Sequence, residues 1–174
     1  MKLPSNFQLL FSAEELDQAI DRVAVRLNIE LRNTKPVFVC VMKGGLPFTW
    51  DLMRRTNLDI EMDFIRAQRY TEKEGGDLVV ERDVGIDLAG KTVVLIDDIL
   101  DRGVTISYLR QEYQKVAERV YSCVLVDKKT KRDCPIEADF VAVTCPDVYI
   151  VGRGMDYEGR YRQLPAIYTW KEEN

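Results

Sequence analysis

The spacing of hydrophobic residues near the N-terminus predicts a helix followed by a buried strand. Leu16, Ile20, Val23 and Leu27 lie three or four positions apart, which is typical of one buried helical face. The Ser-Ala-Glu-Glu sequence at 12–15 matches a capping box, so we predict the helix over residues 13–28. The apolar run VFVCVM that starts at residue 37 shows no alternation, as expected for a parallel strand covered on both faces.

The next part of the chain predicts a helix, an edge strand and a long loop. A helix with Pro47 in its first turn should follow the Lys-Gly-Gly sequence at 43–45. Residues 58–64 alternate between apolar and acidic side chains, which is typical of a half-exposed strand near a sheet edge. Residues 66–82 are charged and contain two adjacent glycines, so we predict a long loop that is either a functional lid or a mobile excursion.

Strand and helix signals continue to alternate in the C-terminal half. Residues 93–96 predict another buried strand, and a helical face follows from Ile106 to about residue 120. Residues 120–126 and 140–144 predict two further strands. This order favours an α/β fold with a mostly parallel sheet flanked by helices, in which ligands bind at the carboxyl ends of the strands.

Composition narrows the class of protein and partner. The 174 residues suffice for one domain, and 46% hydrophobic and 31% charged residues are typical of a globular protein. A net charge of −4 argues against a broad nucleic-acid-binding face. The four cysteines form no CxxC pair, and three of them (40, 123 and 145) lie in or beside apolar runs, as expected for buried thiols in a reducing compartment. No apolar stretch approaches about 18 residues, so we expect a cytoplasmic protein without a membrane partner.

Residues 93–106, VVLIDDILDRGVTI, combine a buried strand with candidate ligand-binding groups. Asp97 and Asp98 follow the apolar run, and Gly103 precedes a predicted helix that Thr105 could cap. N–H groups at a helix start bind anions, and a glycine lets the backbone approach a phosphate. Adjacent carboxylates beside such a site suit a ribose diol, a hydrated magnesium ion, or both. The segment lacks the patterns of a Walker loop or a dinucleotide fingerprint. An acidic pair that binds only a metal is the alternative, but it leaves the glycine and threonine unexplained.

This segment resembles the phosphoribosyl pyrophosphate motif of type I phosphoribosyltransferases, in which two acids and two apolar residues precede D-x-G-x-T. Over about residues 10–170 the chain is similar to the hypoxanthine-guanine branch of that family. The resemblance implies the twisted parallel sheet of the type I phosphoribosyltransferase fold in a single domain over residues 1–174. It also implies a core at about 30–145 and a small hood from about 1–15 and 146–174.

The resemblance also assigns residues to the sugar phosphate and its metal. A cis peptide between Met42 and Lys43 is implied in a loop that holds pyrophosphate. Magnesium is expected at Asp97, Asp98 and Asp156. The residues expected to bind phosphoribosyl pyrophosphate are Lys43, Gly44, Asp97, Asp98, Arg102, Gly103, Val104, Thr105 and Arg162.

By the same resemblance, four residues contact the purine. Lys128 would bind the 6-position, and because lysine only donates hydrogen bonds it favours a 6-oxo over a 6-amino group. Tyr149 would stack on the base, and the Ile150 carbonyl would accept from its exocyclic edge. Asp101 would be the catalytic residue, as general base or proton partner at purine N7. The alternatives are a basic surface loop around Lys128, which two more lysines follow closely, and a core aromatic at position 149.

Two arginines depart from the family pattern. In the lid, Arg69-Tyr70 stands where the family has Ser-Tyr; Tyr70 can still exclude water, whereas Arg69 either adds a pyrophosphate contact or points outward. Arg102 follows Asp101 where a small or hydroxylic residue is usual. Either its guanidinium replaces a hydroxyl contact to the 5′-phosphate, or backbone N–H groups suffice.

The resemblance implies a purine-salvage transferase. Such an enzyme uses Mg²⁺ and transfers the phosphoribosyl group of phosphoribosyl pyrophosphate to hypoxanthine or guanine, giving IMP or GMP and pyrophosphate. A homodimer or homotetramer is expected, with no nucleic-acid partner. Two other functions stay open: a regulator that binds RNA or DNA and senses the sugar substrate, and a sibling enzyme for xanthine, adenine or uracil.

Overall fold

The described part of the chain forms two sheets and three helices. The computed structural model describes residues 3–69, 78–82, 85–130 and 132–170. In chain order the elements are β1 (Phe7–Phe11), α1 (Ala13–Glu30), β2 (Val37–Met42), α2 (Leu46–Met53), β3 (Glu61–Arg69), β4 (Leu78–Arg82), β5 (Thr92–Leu100), α3 (Val104–Gln114), β6 (Arg119–Lys129), β7 (Phe140–Pro146), β8 (Ile150–Val151) and β9 (Ile167–Trp170).

The larger sheet has six strands in the order β4-β3-β2-β5-β6-β7. All neighbouring strands are parallel except β4, which is antiparallel to β3. The predicted α/β fold with a mostly parallel sheet is therefore confirmed. Its central strands are buried on both faces, since every residue of β5 except Ile99 is buried, as the apolar runs indicated.

Helices cover both faces of this sheet. On one face, α1 and α2 pack over a core that includes Phe38, Val94 and Leu125. On the other face, Leu109 and Tyr113 of α3 pack against Val39 and Leu95. Burial of these apolar side chains on both faces provides the main stabilisation of the fold.

The predicted start of α1 is confirmed at the level of single hydrogen bonds. The Glu15 N–H donates to the Ser12 hydroxyl at 3.2 Å, and the Ser12 N–H donates to the Glu15 carboxylate at 2.8 Å. The helix continues to Glu30, two residues beyond the predicted end. Its buried residues include Leu16, Ile20 and Leu27, as the spacing predicted.

Several predicted elements have different bounds. The helix predicted from Ile106 to about residue 120 ends already at Gln114. The strand predicted at 58–64 runs instead from Glu61 to Arg69, because it pairs with β2 from Val37↔Glu61 onward. The predicted loop at 66–82 contains the end of β3 and all of β4, which pair antiparallel up to Arg69↔Leu78. The strand predicted to end before the acidic pair continues through it to Leu100, since β6 pairs with it as far as Leu100↔Asp127.

A three-stranded antiparallel sheet, β1-β9-β8, joins segments from near both ends of the chain. An ion-pair network connects the segment after β8 to the helices. Buried Arg153 donates to Asp17 of α1 at 2.5 Å, to Asp51 of α2 at 2.7 Å, and to the Pro165 carbonyl at 2.9 Å. These contacts connect the segment after β8, and with it the smaller sheet, to helices α1 and α2.

The cysteines follow the expectation from the sequence. Cys40, Cys123 and Cys145 are buried free thiols, and Cys134 is half-buried. Burial raises the pKa of the Cys40 thiol to about 11. None of the helices in the described part of the chain combines the length and hydrophobicity that a membrane crossing requires.

Candidate active site

The site lies at the carboxyl ends of β2 and β5, where the strand order reverses. The chain passes from β2 outward to β3 and later returns to β5 on the other side of β2. Such a switch point leaves a crevice at the strand ends. The Met42–Lys43 peptide after β2 is cis, as the resemblance implied. Gly44 packs directly on Asp98, and a Cβ at this position would overlap the Asp98 carboxylate. The structure thus brings the loop at 43–45 and the acidic pair together.

Asp97 and Asp98 are buried carboxyls at neighbouring positions of β5. The Asp98 N–H donates to Asp97 Oδ1 at 2.9 Å. Burial, followed by repulsion from Asp98, raises the pKa of Asp97 well above its usual value. Burial also raises the pKa of Asp98, although Asp97 and the charge of Arg162 oppose the change. Two buried acids that resist ionisation are suited to a cation or to sugar hydroxyls, both of which would offset the cost of desolvation.

The turn between β5 and α3 borders a pocket of about 260 Å³. Gly103 has φ 84 and is the N-cap of α3, so the predicted helix start is confirmed. Thr105 lies inside the first helical turn, and the prediction that it caps the helix is therefore wrong. A helix start leaves N–H groups without partners inside the helix, which makes this end suitable for an anion. The pocket is lined by Asp97, Ile99, Leu100, Asp101, Arg102, Gly103, Val104, Thr105 and Ile106.

Lys128 lies between two carboxylates near this turn. Its Nζ is 2.9 Å from Asp147 Oδ1 and 3.6 Å from Asp101 Oδ2, and its side chain is only 14% exposed. The hydrogen bond from Lys128 is the main cause of a lowered pKa at Asp147. Because this lysine is mostly buried, the alternative of a solvated surface loop does not describe it. Asp101 is half-exposed, so it can still meet a ligand.

Tyr149 is at the edge of an aromatic cluster rather than in the core, contrary to the alternative from the sequence. Its side chain is 50% exposed, and its hydroxyl donates to the Asp156 carbonyl at 2.9 Å. Tyr157 and Trp170 stack on each other with ring centroids 4.9 Å apart, and both meet Tyr149 edge-on. Ile150 follows in β8 and is buried. Tyr157 and Trp170 thus hold the partly exposed ring of Tyr149 in a fixed orientation.

Arg162 and Asp156 form an ion pair close to the acidic pair. Arg162 Nη2 lies 2.6 Å from Asp156 Oδ1, and Nη1 donates to the Gly154 carbonyl at 2.7 Å. Gly154, whose carbonyl accepts from Arg162, packs against the Gly44 carbonyl and the Asp98 side chain, which places Arg162 at the same end of the sheet. Among the described residues, no three acidic, cysteine or histidine side chains converge on a point where they could hold a metal. The assignment of Asp97, Asp98 and Asp156 to a metal ion stays a prediction.

Arg69 and Arg102, the two arginines that depart from the family pattern, lie in different parts of the structure. Arg102 is exposed, and its Nη1 is 3.5 Å from Asp133 Oδ1. Arg69 is the last residue of β3, and its backbone pairs with Leu78. Tyr70 lies outside the described residues. The lid assignment of Arg69 and Tyr70 stays a prediction.

Sequence reasoning missed Arg132, which contacts the turn from behind. Its guanidinium donates to the Leu100 carbonyl at 2.7 Å and also to the Asp101 carbonyl and the Asp127 carboxylate. In sequence, Arg132 is 32 residues from Leu100 and 31 from Asp101, but only five from Asp127. A basic residue close after Lys128 was the only signal in the sequence. It was indistinguishable from an ordinary surface cation.

Comparisons with known proteins agree with this geometry. The phosphoribosyl transferase domain family matches residues 10–158. The hypoxanthine-guanine phosphoribosyltransferase of Bacillus subtilis (strain 168) is 34% identical over 167 residues, covering 94% of this chain and 93% of that protein. A solved structure of Trypanosoma cruzi hypoxanthine phosphoribosyl transferase has a TM-score of 0.90 at 29% identity, covering 98% of this chain and 95% of that chain. A mutant of the same enzyme, complexed with the product IMP, has a TM-score of 0.89 at 27% identity, with the same coverage of both chains.

The family match and the curated relative each extend over most of the chain, and the solved structures share its fold. The segments that match include the acidic pair, the turn at 100–103 and the start of α3. The chain therefore belongs to the hypoxanthine-guanine phosphoribosyltransferases, within the phosphoribosyl transferase domain family.

Proposed function

We propose that this chain is a purine-salvage enzyme that transfers the phosphoribosyl group of phosphoribosyl pyrophosphate to hypoxanthine or guanine. The products are IMP or GMP and pyrophosphate. One observation carries the proposal: the Nζ of Lys128 lies 3.6 Å from the half-exposed carboxylate of Asp101, a residue that lines the pocket at the start of α3. A 6-oxopurine presents O6 and N7 side by side on one edge. Lys128 would donate to O6 while Asp101 faces N7.

The sugar phosphate is assigned to the turn and the start of α3. The 5′-phosphate would lie against the N–H groups of residues 102–105, where the helix dipole favours negative charge. Asp97 lines this pocket and Asp98 lies against Gly44, and the two carboxyls would hold the ribose hydroxyls. Lys43, Gly44 and Arg162 lie on the far side of the acidic pair and would receive pyrophosphate, which Arg162 can bind through two N–H groups.

We assign the base-stacking role to Tyr149. Its exposed ring is held by Tyr157 and Trp170, so the ring could stack on a purine at little entropic cost. The Ile150 carbonyl would accept from the exocyclic edge. In this proposal β1, β8 and β9 act as a hood over the base, and the rest of the chain belongs to the same single domain.

The residues at the site fit a magnesium ion. The buried carboxyls of Asp97 and Asp98 provide oxygen ligands whose charge a cation would offset, and Asp156 lies nearby with its ion pair to Arg162. Mg²⁺ is usually held in proteins by one or two carboxylates together with substrate phosphates and waters, so a preformed three-ligand cage is not required. When bound, the ion would neutralise the pyrophosphate leaving group.

The protein residues mainly position the reactants and stabilise charge. Purine N9 attacks the anomeric carbon as pyrophosphate leaves, and the transition state has oxocarbenium character. Asp101 holds or accepts a proton at N7 while Lys128 fixes the 6-oxo group. Lys128 also lies 2.9 Å from Asp147, which keeps the ammonium in place before a base binds.

A direct assay tests the proposed activity. The purified chain is incubated with phosphoribosyl pyrophosphate and one base at a time, with magnesium or with EDTA. We expect nucleotide from hypoxanthine and guanine, much less from adenine or uracil, and none with EDTA. Adenine use at an equal rate would contradict the base assignment. Absence of nucleotide together with RNA retention in a gel shift at physiological salt would instead support the regulatory alternative.

The Asp101→Asn substitution should reduce turnover. The amide keeps the size of the side chain but cannot accept a proton, so kcat is expected to fall by about 10–10⁴-fold. Thermal unfolding should change little, because Asp101 is half-exposed. Asp59→Asn is a matched control, since Asp59 is an exposed partner of Lys35 away from the site. Full activity of Asp101→Asn in the steady-state assay would rule out the assigned role.

The Lys128→Gln substitution should weaken purine selection more than sugar binding. A glutamine amide can donate to O6 or accept from a 6-amino group, so discrimination between hypoxanthine and adenine should decrease by roughly 10-fold or more. Steady-state KM values for each base and for phosphoribosyl pyrophosphate provide the measurement. Lys129→Gln is the control, because Lys129 is 63% exposed and its Nζ contacts Asp127. Equal losses for base and sugar would contradict the assignment.

We further propose that the chain forms a homodimer or homotetramer through α2. Trp50 and Leu46 lie one helical turn apart and are 58% and 41% exposed, directly after the loop at 43–45. Exposed aromatic and aliphatic side chains on one face are typical of association surfaces. Size-exclusion chromatography with light scattering should give two or four times the 20.1 kDa chain mass. Trp50→Glu should shift the mass toward a monomer, whereas a monomeric unmodified chain would contradict the proposal.

A further inference from the structure

We propose that Arg132 is a positioning residue that orients the phosphate-binding turn, defined as residues 100–103, by holding its carbonyl groups from behind. The inference rests on the proposed function, since it concerns how the same pocket receives the 5′-phosphate. Arg132 itself would not touch the substrate. Its role would be to aim backbone N–H groups that do.

The side chain of Arg132 is mostly buried and donates three hydrogen bonds. It is 19% exposed, and one guanidinium nitrogen, Nη1, donates to two successive carbonyls, those of Leu100 and Asp101. The other nitrogen, Nη2, donates to the carboxylate of Asp127, which is itself 11% exposed. A buried charge needs a partner of opposite sign, and Asp127 provides it.

The backbone after Arg132 continues the same pattern. The N–H groups of Asp133 and Cys134 donate to the Arg102 carbonyl at 2.9 and 3.3 Å. Three consecutive carbonyls of the turn, those of residues 100, 101 and 102, therefore accept hydrogen bonds from residues 132–134. The absence of a side chain at Gly103 lets this segment approach the turn closely. A Cβ at that position would lie 2.8 Å from Ile136 and 3.0 Å from the Cys134 carbonyl.

The geometry of the peptide unit gives these contacts a functional consequence. In a planar trans peptide, the C=O of one residue and the N–H of the next point in opposite directions. Holding the carbonyls of residues 100–102 from one side therefore directs the N–H groups of residues 101–103 to the other side. The first N–H groups of α3 follow directly, and they have no partners within the helix. Together they form one continuous set of donors facing the pocket.

An arginine suits this position better than other cations. Its planar guanidinium offers five N–H donors in a fixed fork, so one side chain can bind two carbonyls and a carboxylate at once. Asp127 is the residue before Lys128 on β6. The same arginine thus connects the phosphate turn to the strand that carries the purine-binding lysine, and fixes the spacing between the two subsites.

The test compares a nucleotide with the corresponding nucleoside. Isothermal titration calorimetry would measure the dissociation constants of GMP and guanosine for the unmodified chain and for Arg132→Met, which removes all donors at similar length. The dissociation constant of guanosine divided by that of GMP, the guanosine-to-GMP ratio, reports the phosphate contribution alone. We expect this ratio to fall by about tenfold or more in Arg132→Met, the size of effect typical of losing well-placed hydrogen bonds to a charged group. Guanosine affinity should change much less.

Arg110→Met is the matched control. Arg110 is also partly buried, at 25% exposure, and pairs with a carboxylate, Asp139, at 3.1 Å, but it contacts no carbonyl of the turn. Its guanosine-to-GMP ratio should equal that of the unmodified chain. A general loss of packing would lower the affinities for both GMP and guanosine in both variants. The ratio would then stay unchanged in each variant.

Arg132→Lys covers the case in which Arg132→Met does not fold. Lysine keeps the charge opposite Asp127 but has no planar fork, so we expect a folded protein whose ratio still falls by about threefold or more. An unchanged ratio in either folded variant overturns the proposal. If the unmodified chain binds GMP no better than guanosine, the phosphate site itself is absent and the proposed function fails first.

Discussion

The backbone N–H groups at the start of α3 are the feature on which the rest of the site depends. A helix start presents donors that the helix itself cannot use, and Gly103 provides the positive φ that turns the chain from β5 into the helix. The sheet anchors the start of this turn, since β6 pairs with β5 as far as Leu100. A phosphate bound at such a point would have a fixed orientation. The other groups of the site are arranged around it.

Charges around the turn are balanced in pairs. Asp97 and Asp98 are buried and have raised pKa values, so they are suited to a ligand that brings hydroxyls or a cation. Lys128 sits between Asp101 and Asp147, and Arg162 pairs with Asp156. Each cation is therefore held in place before a substrate arrives, which lowers the cost of ordering it. An acidic chain can in this way contain a local site for an anionic sugar.

Local patterns predicted those elements whose stability is local. The capping box and the hydrophobic spacing predicted α1, and continuous apolar runs predicted β2 and the buried part of β5. The turn at residues 100–103 could be singled out because its candidate residues are adjacent in sequence. By contrast, β4 was missed because it lies within residues 66–82, whose many charged residues and two adjacent glycines resemble a loop. The contacts of Arg132 with the turn, and of Arg153 with Asp17 and Asp51, join residues far apart in sequence, so only the folded chain shows them.

The most direct measurement is a crystal structure of the chain with bound GMP. We expect phosphate oxygens about 3 Å from the backbone N–H groups of residues 102–105, a hydrogen-bonding distance, and Lys128 at the 6-oxo group. A phosphate bound elsewhere, for example against Lys43 with the α3 amides left to water, would contradict the assignment of this turn and the function inferred from it.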